Sequence, residues 1–221
     1  MHDAAPIVGR QREGRLAVSS RRQPSGPCIL GKHSVARVAA VNTVSEPSAE
    51  AMPKPQAIVV MGVAGSGKST IARALARHYG HAFLDADDFH TGQAKAQMAA
   101  GVPLSDEQRE PWVALLQREL RLHARQGRSV VLAFSGLRAS HRQRLRESGV
   151  PMRFVFLHAA PGVLAARLAA RAEHFMPPQL LGSQLDALQL PDAEPDAIVV
   201  DATDPLAELL ERLIAALRAA R

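Results

Sequence analysis

The chain has 221 residues, of which 47% are hydrophobic, enough for one domain of ordinary size with a buried core and a tail. No apolar run reaches the roughly 18 residues of a membrane span, and the single cysteine, Cys28, excludes an intramolecular disulfide framework and a Cys-based zinc cluster, which fits a reducing cytoplasm. The formal charge of +6 is partly a property of the first fifty residues, with Arg10, Arg12, Arg15, Arg21, Arg22, Lys32 and Arg37 against only Asp3, Glu13, Glu46 and Glu50, and aromatics are scarce at 4%, so the charge points to a small anionic substrate rather than to nucleic acid.

Residues 1–55 lack sustained periodicity and are rich in Ser, Pro, Gly and Arg, the composition of a disordered N-terminal extension. No apolar segment of the length a secretory signal needs is present, and the acidic residues count against an organelle transit peptide. A simpler alternative is that Met52 is the true start, since the folded pattern of residues 56–221 begins just after it.

"AIVVMG" at 57–62 reads as a buried strand, and the glycine-rich segment after it opens a helix in which Ile71, Leu75 and Tyr79 repeat at i, i+4 and i+8. Between them, Gly62-x-x-x-x-Gly67-Lys68-Ser69 is the Walker A pattern in its proper strand–helix context. Its glycines free consecutive N–H groups to curl around phosphate oxygens, and the following helix N-terminus adds its positive dipole end. Gly62, Ala64, Gly65, Ser66, Gly67, Lys68, Ser69 and Thr70 are therefore candidate nucleotide-binding residues. Lys68 would reach the β- and γ-phosphates, and the Ser69 hydroxyl would ligate Mg²⁺.

A second strand-like run, "AFLDA" at 82–86, leads into Asp87, Asp88 and His90. The carboxyl edge of a parallel sheet is where ligands bind. Phosphoryl transfer needs one carboxylate to deprotonate or orient the attacking hydroxyl and another to hold metal waters, roles open to Asp85 and Asp87. Further along, Trp112, Leu116 and Leu120 mark a helix, and "SVVLAF" (129–134) and "RFVFLH" (153–158) read as strands. "AIVVD" (197–201) ends on Asp201, which imitates the acid-terminated strand of a motor ATPase but comes last in the chain; we place it nearer an adenine than a metal. A final helix carries Leu206, Leu209, Leu210, Leu213, Ile214 and Leu217 on one face. Strands alternating with helices predict an α/β fold with a parallel, five-stranded sheet covered on both faces. No Asn-Lys-x-Asp segment for reading guanine is present, which argues against a GTPase.

"GVAGSGKST", "FLDADDFH", "AAGVPLSDEQREPW", "FSGLRASHRQRLR", "RLAARAEHFMPPQLLGSQLDAL" and "IVVDATDPL" fall in the order and spacing of the gluconate kinase (gluconokinase) family, which the chain resembles over 57 to about 217. The resemblance implies a three-layer, shikimate-kinase-like P-loop kinase fold with a small lid. It also implies ATP- and Mg²⁺-dependent phosphorylation of the 6-hydroxyl of D-gluconate to 6-phospho-D-gluconate by a homodimer, with no membrane partner. Carried over by motif, Asp87 faces the substrate hydroxyl as the catalytic base, Asp85 is an outer-shell Mg²⁺ ligand, and His90, Arg109, Ser135, Arg138, His174 and Gln184 border the substrate. Arg167 and Arg171 stand at i, i+4 before the lid, where such arginines close over ATP; Arg171, with Lys68, would stabilise charge on the transferring group.

Departures from the family pattern are concentrated around the substrate. Its Asn-x-x-Lys-Met loop aligns with Ala94 and Gln97, with Lys95 and Met98 nearby. Arg138 replaces a lysine, His141 stands where tyrosine is common, and Ala172-Glu173 precede His174-Phe175. Loss of an amide and a cation beside His90 is expected to raise KM, and restoring both at 94 and 97 to lower it. Two alternatives stand beside gluconate phosphorylation: a kinase of this fold acting on another small polyol acid, and a non-catalytic ATP-binding regulator.

Overall fold

A computed structural model describes residues 56–170 and 180–219. The predicted N-terminal extension and start, and Arg171, His174 and the lid around them, lie outside the described residues.

Five parallel strands form one sheet in the order β2-β3-β1-β4-β5. They are β1 (Ala57–Met61), β2 (Ala82–Asp85), β3 (Val130–Ala133), β4 (Met152–His158) and β5 (Ala197–Asp201). β1 is buried throughout, and its side chains alternate between two cores as strand geometry requires. Ile58 and Val60 join one core, with Val131 and Ala133 of β3 and Val155 and Leu157 of β4. Val59 and Met61 join the other, with Leu132, Phe154 and Phe156.

The first core is covered by α1 (Lys68–Tyr79), α5 (Pro161–Ala169), α6 (Leu180–Asp186) and α7 (Leu206–Ala219), through Ile71, Leu75, Leu164, Leu181, Leu209, Leu213 and Leu217. The second is covered by α3 (Asp106–Arg125) and α4 (Ala139–Arg146), through Trp112, Leu116, Leu120 and Leu145. Helices therefore lie on both faces, as the alternation of elements predicts. A third, smaller cluster sits apart: Met98 of α2 (Gly92–Ala99), Leu104 before α3, and Leu180 at the head of α6.

Two details differ from the sequence expectation. The second strand stops at Asp85, because Ala86–Phe89 wind into a 3₁₀ turn whose N-cap is the Asp85 carboxylate, accepting from the Asp87 N–H. On α7 the buried stripe is Leu209, Leu213 and Leu217, while Leu206 is exposed at the helix start.

Candidate active site

All the strands point their carboxyl ends to one edge of the sheet, and the loops there bring the sequence candidates together. Leaving β1, the chain passes through Gly62, Gly65 and Gly67 with φ of 142°, 82° and 93°. A side chain at Gly62 would meet Ser66 Oγ at 2.7 Å and the Leu157 carbonyl at 2.8 Å, so the loop closes tightly on itself and on β4. Gly67 N-caps α1 without a side-chain acceptor, which leaves the helix's first N–H groups to a ligand. Ser66 turns its hydroxyl inward and is buried, so only its backbone can serve a phosphate. Lys68 Nζ donates to the Val63 carbonyl at 3.1 Å, arched back over the loop, and Thr70 is exposed.

Ser69 Oγ donates to Asp85 Oδ2 at 2.7 Å, so the candidate metal ligand and its outer-shell acid are already paired. Among the described residues no group of three or more His, Cys, Asp or Glu is arranged to hold a metal. That suits Mg²⁺, which keeps waters and leans on substrate phosphates rather than on a protein cage. The glycine cradle and the Ser69–Asp85 pair fit a magnesium–nucleotide complex.

A cleft of about 340 Å³ runs from Gly65, Gly67 and Thr70 to Ala202, Asp204 and Leu206. It accounts for the exposure of Leu206, which forms part of its wall. Arg167 lines this cleft together with Gly65, Gly67 and Thr70 of the phosphate loop and donates to the Ala202 carbonyl at 2.8 Å. Asp201 ends an edge strand and accepts from the backbone and hydroxyl of Thr203, so it shapes the loop at this end of the cleft.

On the other side of Asp85, Asp87 is half-buried on the 3₁₀ turn. His90 stacks on Trp112 at 4.2 Å between ring centroids, and Trp112 Nε1 donates to the Ala86 carbonyl at 2.7 Å, which ties the acidic turn to α3. Burial, then the charges of Lys95 and Arg109, push His90 down from 6.5 to about 4, so it is neutral near pH 7. Burial likewise lowers His141, which is enclosed at the head of α4.

Arg109 and Arg138 meet on one carboxylate. Asp106 lies 3.2 Å from Arg109 Nη1 through one oxygen and 3.4 Å from Arg138 Nη2 through the other. Burial leads in lowering the Arg109 pKa. Among the described residues Arg138 Nε is buried without a hydrogen-bond partner. Asp106 belongs to the "AAGVPLSDEQREPW" motif, which by itself assigns it no role. A carboxylate three residues before an arginine on a helix was its available signal. Ser135 accepts the Gly62 N–H through its carbonyl at 3.2 Å, which fastens the arginine-bearing loop to the phosphate loop.

Three positions that the motifs tie to the substrate have contacts within the protein. Gln184 Oε1 accepts the Ala64 N–H at 2.7 Å, on the phosphate loop. Ala94 packs against the Met98–Leu104–Leu180 cluster. Gln97 exchanges amide hydrogen bonds with Gln108 at 2.9 and 3.2 Å and donates to the Pro103 carbonyl at 3.1 Å. Both exchanges thus have structural partners.

An AAA domain family profile matches residues 58–191. A gluconokinase of Gluconobacter oxydans (strain 621H) is 40% identical over 161 residues, which cover 73% of this chain and 90% of that protein. A gluconokinase of Arabidopsis thaliana is 44% identical over 150 residues, 62% of this chain and 79% of that one. The crystal structure of a gluconokinase from Sinorhizobium meliloti 1021 superposes with a TM-score of 0.68 at 40% identity, covering 75% of this chain and 93% of that one.

Proposed function

We propose, from the premise that the chain belongs to the gluconokinase family, that it transfers the γ-phosphoryl group of ATP to the 6-hydroxyl of D-gluconate. The 6-oxygen forms a bond to the γ-phosphorus, the bond from that phosphorus to the β,γ-bridging oxygen breaks, and ADP leaves. The hydroxyl proton passes to the Asp87 carboxylate. Lys68 and the N–H groups from Gly65 to Thr70 hold the phosphates, and the Gly65–Leu206 cleft takes the base beside Arg167. Ser69 would hold Mg²⁺ directly and Asp85 through water; when bound, the ion neutralises charge on the phosphate oxygens. Arg171 and His174 complete the lid in this reading.

The observation that carries the acid half is the meeting of Arg109 and Arg138 on Asp106. Two guanidinium groups already converge on one carboxylate, the arrangement that an acid substrate calls for. Neutral His90 and half-buried Asp87 lie on the same side, suited to hydroxyls rather than to a second anion. No described helix is long and apolar enough to cross a membrane. A homodimer in the cytoplasm, acting on a small molecule and not on nucleic acid, belongs to the same reading.

The test is transfer of labelled phosphate from ATP across a panel of aldonates, with shikimate included. Formation of 6-phosphogluconate as the preferred product supports the proposal. Preference for another acid replaces the substrate, and nucleotide binding without transfer to any acid replaces the enzyme by a regulator.

A further inference from the structure

The stretch from Leu180 to Gln189 touches three separate walls of the site. Leu180 is buried with Met98 and Leu104, against the α2 helix. Gln184, one helical turn on, accepts the Ala64 N–H of the phosphate loop at 2.7 Å. Gln189 donates its N–H to the Leu137 carbonyl at 2.8 Å and accepts the Ala139 N–H through Oε1 at 2.7 Å, bracketing Arg138. Leu181, buried in the larger core beside Val63 and Ala64, anchors the stretch between these contacts.

We infer that Gln184 is a positioning residue that fixes the phosphate loop, and that Leu180–Gln189 is a strut holding this loop in register with α2 and the Arg138 loop. Ala64 is buried, and its N–H takes its acceptor from a residue 120 positions away. Such a long-range bond reports tertiary placement rather than local turn geometry. The amide of Gln184 is oriented by the donor it meets, because only its oxygen can accept from a backbone N–H. Removing the acceptor leaves a buried N–H orphaned, and the loop must shift to satisfy it. The neighbouring amides that would hold phosphate shift with it. This inference rests on the reading of the glycine loop as a nucleotide site.

The test compares wild type, Gln184→Met, which keeps length and bulk without an acceptor of comparable strength, and Gln184→Glu, which keeps an acceptor. Binding of magnesium–AMPPNP by calorimetry, without any sugar acid, should weaken about tenfold in Gln184→Met. Hydrogen exchange in the 62–68 segment should be faster in Gln184→Met and remain near wild type in Gln184→Glu. Wild-type nucleotide affinity together with wild-type exchange in Gln184→Met overturns the inference. So does loss of protection in Gln184→Glu, which serves as the deciding variant should Gln184→Met not fold. Since no acid is present, a wild type inactive on gluconate would overturn the proposed substrate and leave this result standing.

Discussion

Ser69 and Asp85 are joined by a 2.7 Å hydrogen bond from the first turn of α1 to the last residue of β2. The same carboxylate caps the turn that carries Asp87, accepting its N–H at 3.2 Å. One side chain therefore sets the spacing between the hydroxyl proposed for the metal and the acid proposed for the substrate. Asp85→Asn keeps the shape and one oxygen to accept the Asp87 N–H, turns an amide donor towards Ser69 Oγ in place of the second acceptor, and removes the charge. We expect the Mg²⁺ concentration for half-maximal activity to rise about tenfold or more, with little change in melting temperature. An unchanged Mg²⁺ dependence would remove Asp85 from the metal's surroundings.

Asp87→Asn preserves shape and removes the base. kcat should fall about 10²-fold or more while AMPPNP affinity is retained. A rise in KM for gluconate at constant kcat would instead make Asp87 a residue that orients substrate.

His90 gives a pH dependence whose sign follows from its burial. Its pKa falls from 6.5 to about 4 on folding, mainly through desolvation, with Lys95 and Arg109 adding to the shift. Between those values the unfolded chain binds a proton that the folded chain does not, so this group's contribution to stability rises with pH across the window and is lost on acidification. His90→Phe keeps a ring on Trp112 and removes the titration. Melting temperatures taken between about pH 7 and pH 5 should fall less steeply in the variant than in wild type. Parallel slopes would show that the imidazole titrates as it does in the unfolded chain.

The fold and the nucleotide half were legible because their signals are local. A β-strand running into Gly62-x-x-x-x-Gly67-Lys68-Ser69 states its own geometry, and the apolar runs at 57–61, 130–133 and 152–158 read as buried parallel strands before any pairing is known. The substrate half depends on contacts between distant segments, which the sequence does not display. Gln184 meets Ala64 across 120 residues, and Arg138 meets Asp106 from another helix. Neither pairing leaves a period or a motif. The contacts of Ala94 with the Leu180 cluster and of Gln97 with Gln108 could not be read from the aligned loop, because Leu180 and Gln108 lie outside it.

Arg142 is buried on α4 yet fully engaged. Nη1 donates to the Gly136 and Gln189 carbonyls at 2.7 and 3.0 Å, Nε donates to Glu194 at 2.8 Å, and Arg146 pairs with the same Glu194 and with Asp196. Arg142→Met is expected to destabilise by about 3 kcal/mol or more, since it orphans carbonyls and half of an ion pair. Urea unfolding measures this. The gluconate KM should also rise, because the released carbonyls border the Arg138 loop. A loss under about 0.5 kcal/mol would mean that water replaces the guanidinium without penalty.

The double variant Ala94→Asn, Gln97→Lys restores the residues that the family pattern would place in the loop, and on sequence grounds it should lower KM. The packing around both positions argues for the opposite outcome. Ala94 abuts the Met98–Leu104–Leu180 cluster, where an asparagine would bring an amide against apolar side chains. Gln97 spends its amide on Gln108 and Pro103, and Gln108 in turn accepts the Ser105 N–H in the capping box that starts α3. A lysine at 97 has no acceptor to return to Gln108, so the link between α2 and the head of α3 loosens, and with it the placement of Asp106 and Arg109. We therefore expect the double variant to melt lower, by about 1 kcal/mol or more, and to show a gluconate KM raised several-fold with kcat little changed. The single substitutions separate the causes: Ala94→Asn should account for most of the stability loss, and Gln97→Lys for most of the KM change. A double variant with a lower KM and an unchanged melting temperature would return both positions to the substrate pocket.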